Sequence, residues 1–181
     1  MSYLELIIGP MFSGKTSKLL EIYKQCLFCN IKVEIINHSI DTRYDETMLS
    51  SHDKVMAPCI RTVTLNEAWS NNPLLKQADV ILINEGQFFD DLYDVVVDML
   101  DNGKKVYICG LDGDFERKQI GKILNLVPLC DKVSKLTSLC SICRDGTPGI
   151  FSMRLTKEKD QILVGVDNYV PVCRKCYDKQ K

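Results

Sequence analysis

Residues 3–16 read YLELIIGPMFSGKT, and the class of fold turns on them. YLELII has the apolar pattern of a buried strand. The eight residues after it, Gly9, Pro10, Met11, Phe12, Ser13, Gly14, Lys15 and Thr16, match the phosphate-loop pattern G-x-x-x-x-G-K-[ST] at every fixed position. Beyond them Leu19, Leu20, Ile22, Tyr23, Cys26 and Leu27 recur at helical spacing. Strand, glycine-containing loop and helix in that order turn backbone N–H groups and a helix N-terminus toward an anion. Lys15 is then placed to reach the β- and γ-phosphates of ATP, and Thr16 to offer its hydroxyl to Mg²⁺.

Residues 31–37 (IKVEIIN), 79–84 and 105–110 (KVYICG) read as further strands. Residues 65–77 suggest one short helix. Leu92, Val95, Val96, Met99 and Leu100 set an apolar stripe on another, which starts near Asp90 and stops at Asn102-Gly103. HSIDTRYDETMLSSHDK, residues 38–54, lacks periodicity and reads as loop. This alternation predicts an α/β fold: a P-loop NTPase-like parallel sheet with helices on both faces. Ligands on such sheets lie at the carboxyl ends of strands, where GPMFSGKT, NEGQFF and LDGDFERK all fall. From about Val133 the chain changes to short strand-like pieces between two Cys-x-x-Cys pairs. We therefore expect an ATP-binding domain over residues 1–132 and a small zinc-binding lobe over residues 133–181.

The 181 residues, 45% hydrophobic, suffice for a substantial core. With 23 basic against 24 acidic residues the net charge is -1, which gives no bulk basic field for nucleic acid. No basic leader, small-residue cleavage site or long apolar run is visible, so a soluble cytoplasmic protein with no membrane partner is expected.

Nine cysteines in such a chain point to free thiols and a metal site rather than a disulfide framework. Cys140-Ser-Ile-Cys143 and Cys173-Arg-Lys-Cys176 have the spacing that supplies four thiolates to structural Zn²⁺. Two disulfides are the alternative, which a reducing compartment disfavours. Cys26-Leu-Phe-Cys29 shares the spacing but closes an apolar helical stripe without a second pair, and reads as buried rather than ligating. Cys59, Cys109 and Cys130 read as structural, and neither His38 nor His52 is given a role.

A second informative stretch is VILINEGQFF, residues 80–89. The buried strand stops at Asn84 and Glu85, a polar pair beside the phosphate loop. Glu85 is positioned to accept a proton from an attacking hydroxyl, and the alternative is a surface strand-end carboxylate. Phe88 and Phe89 suit a flat polar ring. The mixed-charge segments DTRY (residues 41–44) and DGDFER (residues 112–117) read from charge alone as solvated loops.

GPMFSGKT, DTRY, EGQFF, LDGDFERK, KLTSLC-x-x-C and VCRKC, in this order, resemble the type II, cytosolic-type thymidine kinases, from about Leu6 to Tyr177. The resemblance implies transfer of the γ-phosphoryl group of ATP to the 5′-hydroxyl of thymidine, with Mg²⁺ and structural Zn²⁺. It implies that Gly9, Pro10, Met11, Phe12, Ser13, Gly14, Lys15 and Thr16 hold the phosphates and that Glu85 is the catalytic base. Phe88, Leu111 and Phe115 would surround base and sugar, and Ser152 would fall in the pocket. Asp160, Gln161, Ile162, Leu163, Val164 and Tyr169 would lie over the thymine as a lasso. Asp41 and Arg43 would lie near the phosphoryl path, and Cys140, Cys143, Cys173 and Cys176 would hold zinc. A homotetramer with feedback by thymidine triphosphate is also implied.

Three departures from that pattern stand out. Asn84 replaces an aspartate that helps orient Mg²⁺ through water; Val164-Gly165 replaces a Gly-Gly pair; the segment RDGTPGIFSMRL is slightly longer. A neutral acceptor at Asn84 predicts weaker Mg²⁺ orientation, with Thr16 and the ATP phosphates holding the metal. A catalytically reduced, nucleotide-binding regulatory protein is the alternative in a different class. A nucleic-acid-binding zinc lobe ranks last, because Arg174, Lys175, Lys179 and Lys181 are accompanied only by Tyr177.

Overall fold

The computed structural model describes residues 1–41, 48–50, 55–158, 160–162 and 168–179. In chain order its elements are β1 (Tyr3–Ile8), α1 (Lys15–Phe28), β2 (Val33–His38), β3 (Met48–Ser50), β4 (Met56–Pro58), β5 (Ile60–Thr62), α2 (Leu65–Asn71) and α3 (Pro73–Gln77). They continue with β6 (Val80–Asn84), α4 (Leu92–Asp101), β7 (Lys105–Gly110), β8 (Lys132–Lys135), β9 (Ser138–Leu139), β10 (Pro148–Gly149), β11 (Phe151–Arg154), β12 (Tyr169–Val172) and α5 (Arg174–Asp178). Short 3₁₀ segments cover Gly86–Phe88 and Ile123–Leu129.

Six strands form one sheet in the order β5-β2-β6-β7-β1-β8, every pair parallel. Alternation along each strand serves two cores. Leu4, Leu6, Ile81, Ile83, Val106 and Ile108 pack against α2, α3 and α4 through Leu65, Trp69, Leu75, Leu92, Val96 and Met99. Ile7, Val33, Ile35, Val80 and Leu82 face the other way, onto Leu19, Leu20, Ile22 and Cys26 of α1. Burial on both faces explains why these strands read as near-continuous apolar runs. Because β6, β7 and β1 are neighbours, the segments leaving their carboxyl ends rise side by side, and the site is built there.

The structure differs from expectation in several places. Residues 65–77 are two helices, not one: the chain breaks at Asn72, whose side chain accepts from the N–H of Leu74 at 3.0 Å and caps α3 ahead of Pro73. The stretch read as loop contains β3, paired antiparallel with β4, and Leu49 and Ala57 of this hairpin are buried against α1's core. Helix α4 begins at Leu92, close to the expected start, and the Asp91 carboxylate before it accepts instead from the N–H groups of Leu65 (3.1 Å) and Asn66 (2.8 Å) at the start of α2. Strand β8 extends the main sheet across residue 133, pairing with β1.

After β8 come two antiparallel pairs, β9 with β10 and β11 with β12. Cys140, Met153, Val172, Cys173, Cys176 and Tyr177 form a separate small core there. Among the described residues no helix is long and apolar enough to cross a membrane.

Candidate active site

The loop after β1 is held by contacts that glycine alone permits. A Cβ on Gly9 would lie 2.4 Å from the carbonyl oxygen of Leu136, just beyond β8. Gly14 caps α1 with φ 81, a left-handed value that frees the first helical N–H groups to point out of the loop. Phe12 is left-handed too (φ 61), the kind of strained backbone that concentrates at ligand sites. Lys15 Nζ donates to the carbonyl oxygen of Pro10 at 2.6 Å, and Ser13 Oγ donates to the same oxygen at 2.8 Å. From the other lobe, Ser152 Oγ accepts from the N–H of Met11 at 2.9 Å.

A cleft opens over this loop. Its floor is the run from Met11 to Thr16; Ile40, Asp41, Glu85 and Phe88 bound one side, and Leu111, Asp114, Phe115 and Ile120 another. Ser152, Gln161, Ile162 and Tyr169 cover it from the small lobe. Apolar walls with a few convergent polar groups suit an organic ring carrying a charged tail.

Glu85 leaves the end of β6 in a left-handed conformation (φ 54), which turns its carboxylate toward the cleft. Gln87 ties it to the next strand: Nε2 donates to Glu85 Oε2 at 2.6 Å, and Oε1 accepts from the N–H of Leu111 at 3.0 Å. Close packing makes room for that side chain, since a Cβ on Gly110 would meet Gln87 Oε1 at 2.3 Å.

Asn84 is fully buried beneath the loop. Its Oδ1 accepts from Thr16 Oγ1 (3.3 Å) and from the Cys109 thiol (2.9 Å), while its Nδ2 donates to Asn37 Oδ1 (2.9 Å). Asn37 Nδ2 in turn donates to Asp41 Oδ2 at 3.4 Å. His38, at the end of β2, stacks edge-on against Phe89 at 4.6 Å and tilted against Phe88 at 5.8 Å. Burial pushes its pKa down.

In the small lobe the sulfurs of Cys140, Cys143, Cys173 and Cys176 lie within 4.8 Å of one another. Burial pushes the Cys140 thiol up, but backbone N–H groups of residues 143, 173 and 142 outweigh it and bring the pKa down to about 6. Hydrogen bonds that its thiol donates to the Cys176 and Cys173 sulfurs push Cys143 up to about 12. Four convergent sulfurs that cannot all ionise without a cation fit a closed thiolate zinc site.

The thymidine kinase family model matches residues 2–177. The chain belongs to the thymidine kinase family. It is 39% identical to the thymidine kinase of Yaba monkey tumor virus, over 98% of this chain and 95% of that protein. It is 37% identical to the bovine cytosolic thymidine kinase (98% and 72% covered) and 39% identical to the thymidine kinase of Bacteroides thetaiotaomicron (96% and 86%). Among solved structures, domain III of the Thermotoga maritima replication initiation protein DnaA is similar at 18% identity and a TM-score of 0.42, covering 74% of this chain and 54% of that one, a likeness too slight to carry weight.

In this thymidine kinase family member, the residues expected from sequence fall in three groups. Met11, Phe12, Ser13, Gly14, Lys15, Thr16, Asp41, Glu85, Phe88, Leu111, Phe115, Ser152, Gln161, Ile162 and Tyr169 line the cleft. Gly9 and Pro10 belong to the same loop but stand outside the lining, Asn84 is buried beside Thr16, and Asp160 is exposed outside the lining. Arg43, Leu163 and Val164 lie outside the described residues, as does His52. The side chain of Gln161 is engaged by the protein itself, donating to Asp114 Oδ2 at 2.7 Å and to the carbonyl of Gln119 at 3.2 Å.

Reading residues 112–117 as a solvated loop fails at Asp114. That carboxylate is buried and also accepts from the N–H groups of Glu116 (2.9 Å) and Lys118 (2.8 Å). Its charge is what made it look like surface; two of its donors are local, as an Asp in a turn can find, and the fold supplies the third, Gln161. Ile40 and Ile120 were missed as well, being single apolar residues in irregular chain with no period to mark them. Near the cysteines, Arg117 lies over the ring of Tyr177 at 4.6 Å and Arg174 over Phe151 at 5.1 Å. The aromatic faces there are covered by the protein's own guanidinium groups, which argues against a nucleic-acid platform.

Proposed function

We propose that the protein transfers the γ-phosphoryl group of ATP to the 5′-hydroxyl of thymidine, a salvage step toward DNA precursors. The observation that carries this is the meeting of the phosphate loop, the Glu85 carboxylate and the aromatic wall of Phe88, Phe115 and Tyr169 in one cleft, in a chain of this family. The loop's N–H groups bind the phosphates of ATP. Lys15, whose ammonium now bonds Pro10, turns to the β- and γ-oxygens.

The hydroxyl of Thr16, beside the Asn84 amide oxygen and at the start of α1, fits a hard cation held mainly by phosphate. Mg²⁺ bound beside Thr16 would supply neutralisation of the charge on the transferring group. Glu85 takes the proton of the 5′-hydroxyl as that oxygen bonds the γ-phosphorus and the bond to the β,γ-bridging oxygen breaks, releasing ADP. Gln87 keeps the carboxylate aimed. The nucleoside ring lies between Phe88, Leu111 and Phe115, and residues 160–164 with Tyr169 read its edge. Asp41 and Arg43 flank the phosphoryl path.

Residues 1–132, with β8 added to their sheet, form the ATP-binding part, and residues 133–181 a lobe that Zn²⁺ on Cys140, Cys143, Cys173 and Cys176 would hold rigid without chemistry of its own. Thymidine triphosphate, with the same base and a longer phosphate chain, suits the cleft as a feedback inhibitor. Leu27 and Phe28 at the end of α1 are 52% and 89% exposed, an apolar pair that suits self-association; the homotetramer rests on the family resemblance. Similarity to a cytosolic relative supports a cytoplasmic location.

The test is transfer of labelled γ-phosphate from ATP to thymidine, deoxycytidine and purine nucleosides across a Mg²⁺ titration of zinc-loaded protein. Transfer selective for thymidine is expected. No transfer at any Mg²⁺, with nucleotide binding intact, would replace this reading by the regulatory one.

A further inference from the structure

Arg154 ends β11, opposite Tyr169 in the register of β12. Its guanidinium serves three stretches of chain at once. Nη1 donates to the carbonyl oxygens of Glu158 (2.9 Å) and Asp160 (2.5 Å). Nη2 donates to the carbonyl oxygen of Gln161 (3.2 Å) and to the Tyr169 hydroxyl oxygen (2.5 Å). Its Cζ lies 3.7 Å from the ring centroid of Phe115 and 5.1 Å from that of Tyr169. Its Nε is buried without a hydrogen-bond partner, the one such side-chain nitrogen or oxygen among the described residues. Leaving a buried donor unpaired is unfavourable, so the fork and the stack are what hold the group in place.

Phe115, Gln161, Ile162 and Tyr169 line the cleft, and Arg154 does not. We propose that Arg154 is a positioning residue for the nucleoside. One guanidinium ties the carbonyls of Glu158, Asp160 and Gln161 and the hydroxyl of Tyr169 to the ring of Phe115, and so sets the width of the slot that receives the base. The side chain of Gln161, bonded to buried Asp114, fastens the far end of the same strap. A planar fork with a stacking face can do this in full, and a single ammonium only in part. The inference rests on the slot taking a nucleoside, as proposed above.

The test compares wild type with Arg154→Met and Arg154→Lys in zinc-loaded protein. Arg154→Met keeps the packing stem and removes the fork. It should raise the KM for thymidine roughly 10- to 100-fold, with the KM for ATP and kcat changed less than about threefold. Amide hydrogen exchange over residues 155–162 should quicken, while exchange in the phosphate loop stays as in wild type. Arg154→Lys should lie between, and carries the same two measurements if Arg154→Met does not fold. Unchanged thymidine KM and unchanged exchange would overturn the proposal, as would equal losses for ATP and thymidine, which mark a general structural role. A wild type that transfers nothing to thymidine overturns the functional reading alone, and the exchange comparison still decides whether Arg154 fastens the strap.

Discussion

The side-chain amide of Asn84 donates to the side-chain oxygen of Asn37 at 2.9 Å, across strands β6 and β2 where the register sets the two residues opposite each other. The asparagine is therefore matched to its surroundings as an amide: its nitrogen has an acceptor, and its oxygen already takes Thr16 and Cys109. A carboxylate in its place would face the Asn37 oxygen with no donor. Asn37 could satisfy it only by turning, which gives up its bond to Asp41.

Asn84→Asp should tighten the apparent Mg²⁺ affinity about fivefold, since a charged acceptor strengthens such hydrogen bonds by about 1 kcal/mol. It should also lower stability by roughly 1–3 kcal/mol, from the buried carboxylate opposite Asn37. Initial rates across a Mg²⁺ titration and a urea melt read the two effects. An unchanged Mg²⁺ dependence would show that residue 84 does not orient the metal.

Glu85→Gln should lower kcat by about 10²–10⁴-fold, the usual range for losing a general base, with ATP affinity within about twofold of wild type. Steady-state rates and calorimetric ATP binding check this. Turnover retained near the wild-type rate removes Glu85 from the chemistry.

Cys173→Ser, or exhaustive chelation, should remove one equivalent of zinc and cost at least ~3 kcal/mol of stability, because the four sulfurs cross-link the small lobe. Thymidine affinity should fall with it, as Ser152 and Tyr169 reach the cleft from that lobe. Metal analysis and thermal melts are the measurements. A melting point indifferent to zinc would mean the cysteines serve only as core.

The dependence of stability on pH should show two acid limbs. Burial lowers the pKa of His38 below its ordinary 6.5, and its Nδ1 accepts from the N–H of Ile40 at 3.0 Å, a bond that protonation would destroy. The unfolded chain then binds the proton first, so this stability is complete above pH ~6.5 and is lost as pH falls through the folded value. Burial pushes Glu5 up, but hydrogen bonds from Ser134, Lys132 and Tyr3 outweigh it and bring its pKa below 4.5. Its contribution is therefore present above about 4.5 and lost at more acid pH. His38→Gln should abolish the first limb, at most about 1.4 kcal/mol per pH unit, and leave the second. Melts between pH 7 and 3 decide it, and an identical first limb in the variant would exclude His38.

The amino-acid sequence by itself determined the phosphate loop, the alternation of strands and helices, and the two cysteine pairs. Those signals are local: a fixed spacing of glycine, lysine and threonine after an apolar run, a period of 3.6, a C-x-x-C step. The break at Asn72 escaped that reading, although an asparagine before a proline within a helical run is a local signal that marks it. Only the tertiary structure decided what surrounds Asn84, that Asp114 is buried, and that Arg154 gathers the carbonyls of residues 158, 160 and 161 against Phe115. Partners such as Asn37 and Asn84, or Asp114 and Gln161, stand 47 residues apart in the chain. Strand register and the closing of one lobe over the other bring them together, and no short-range pattern encodes either.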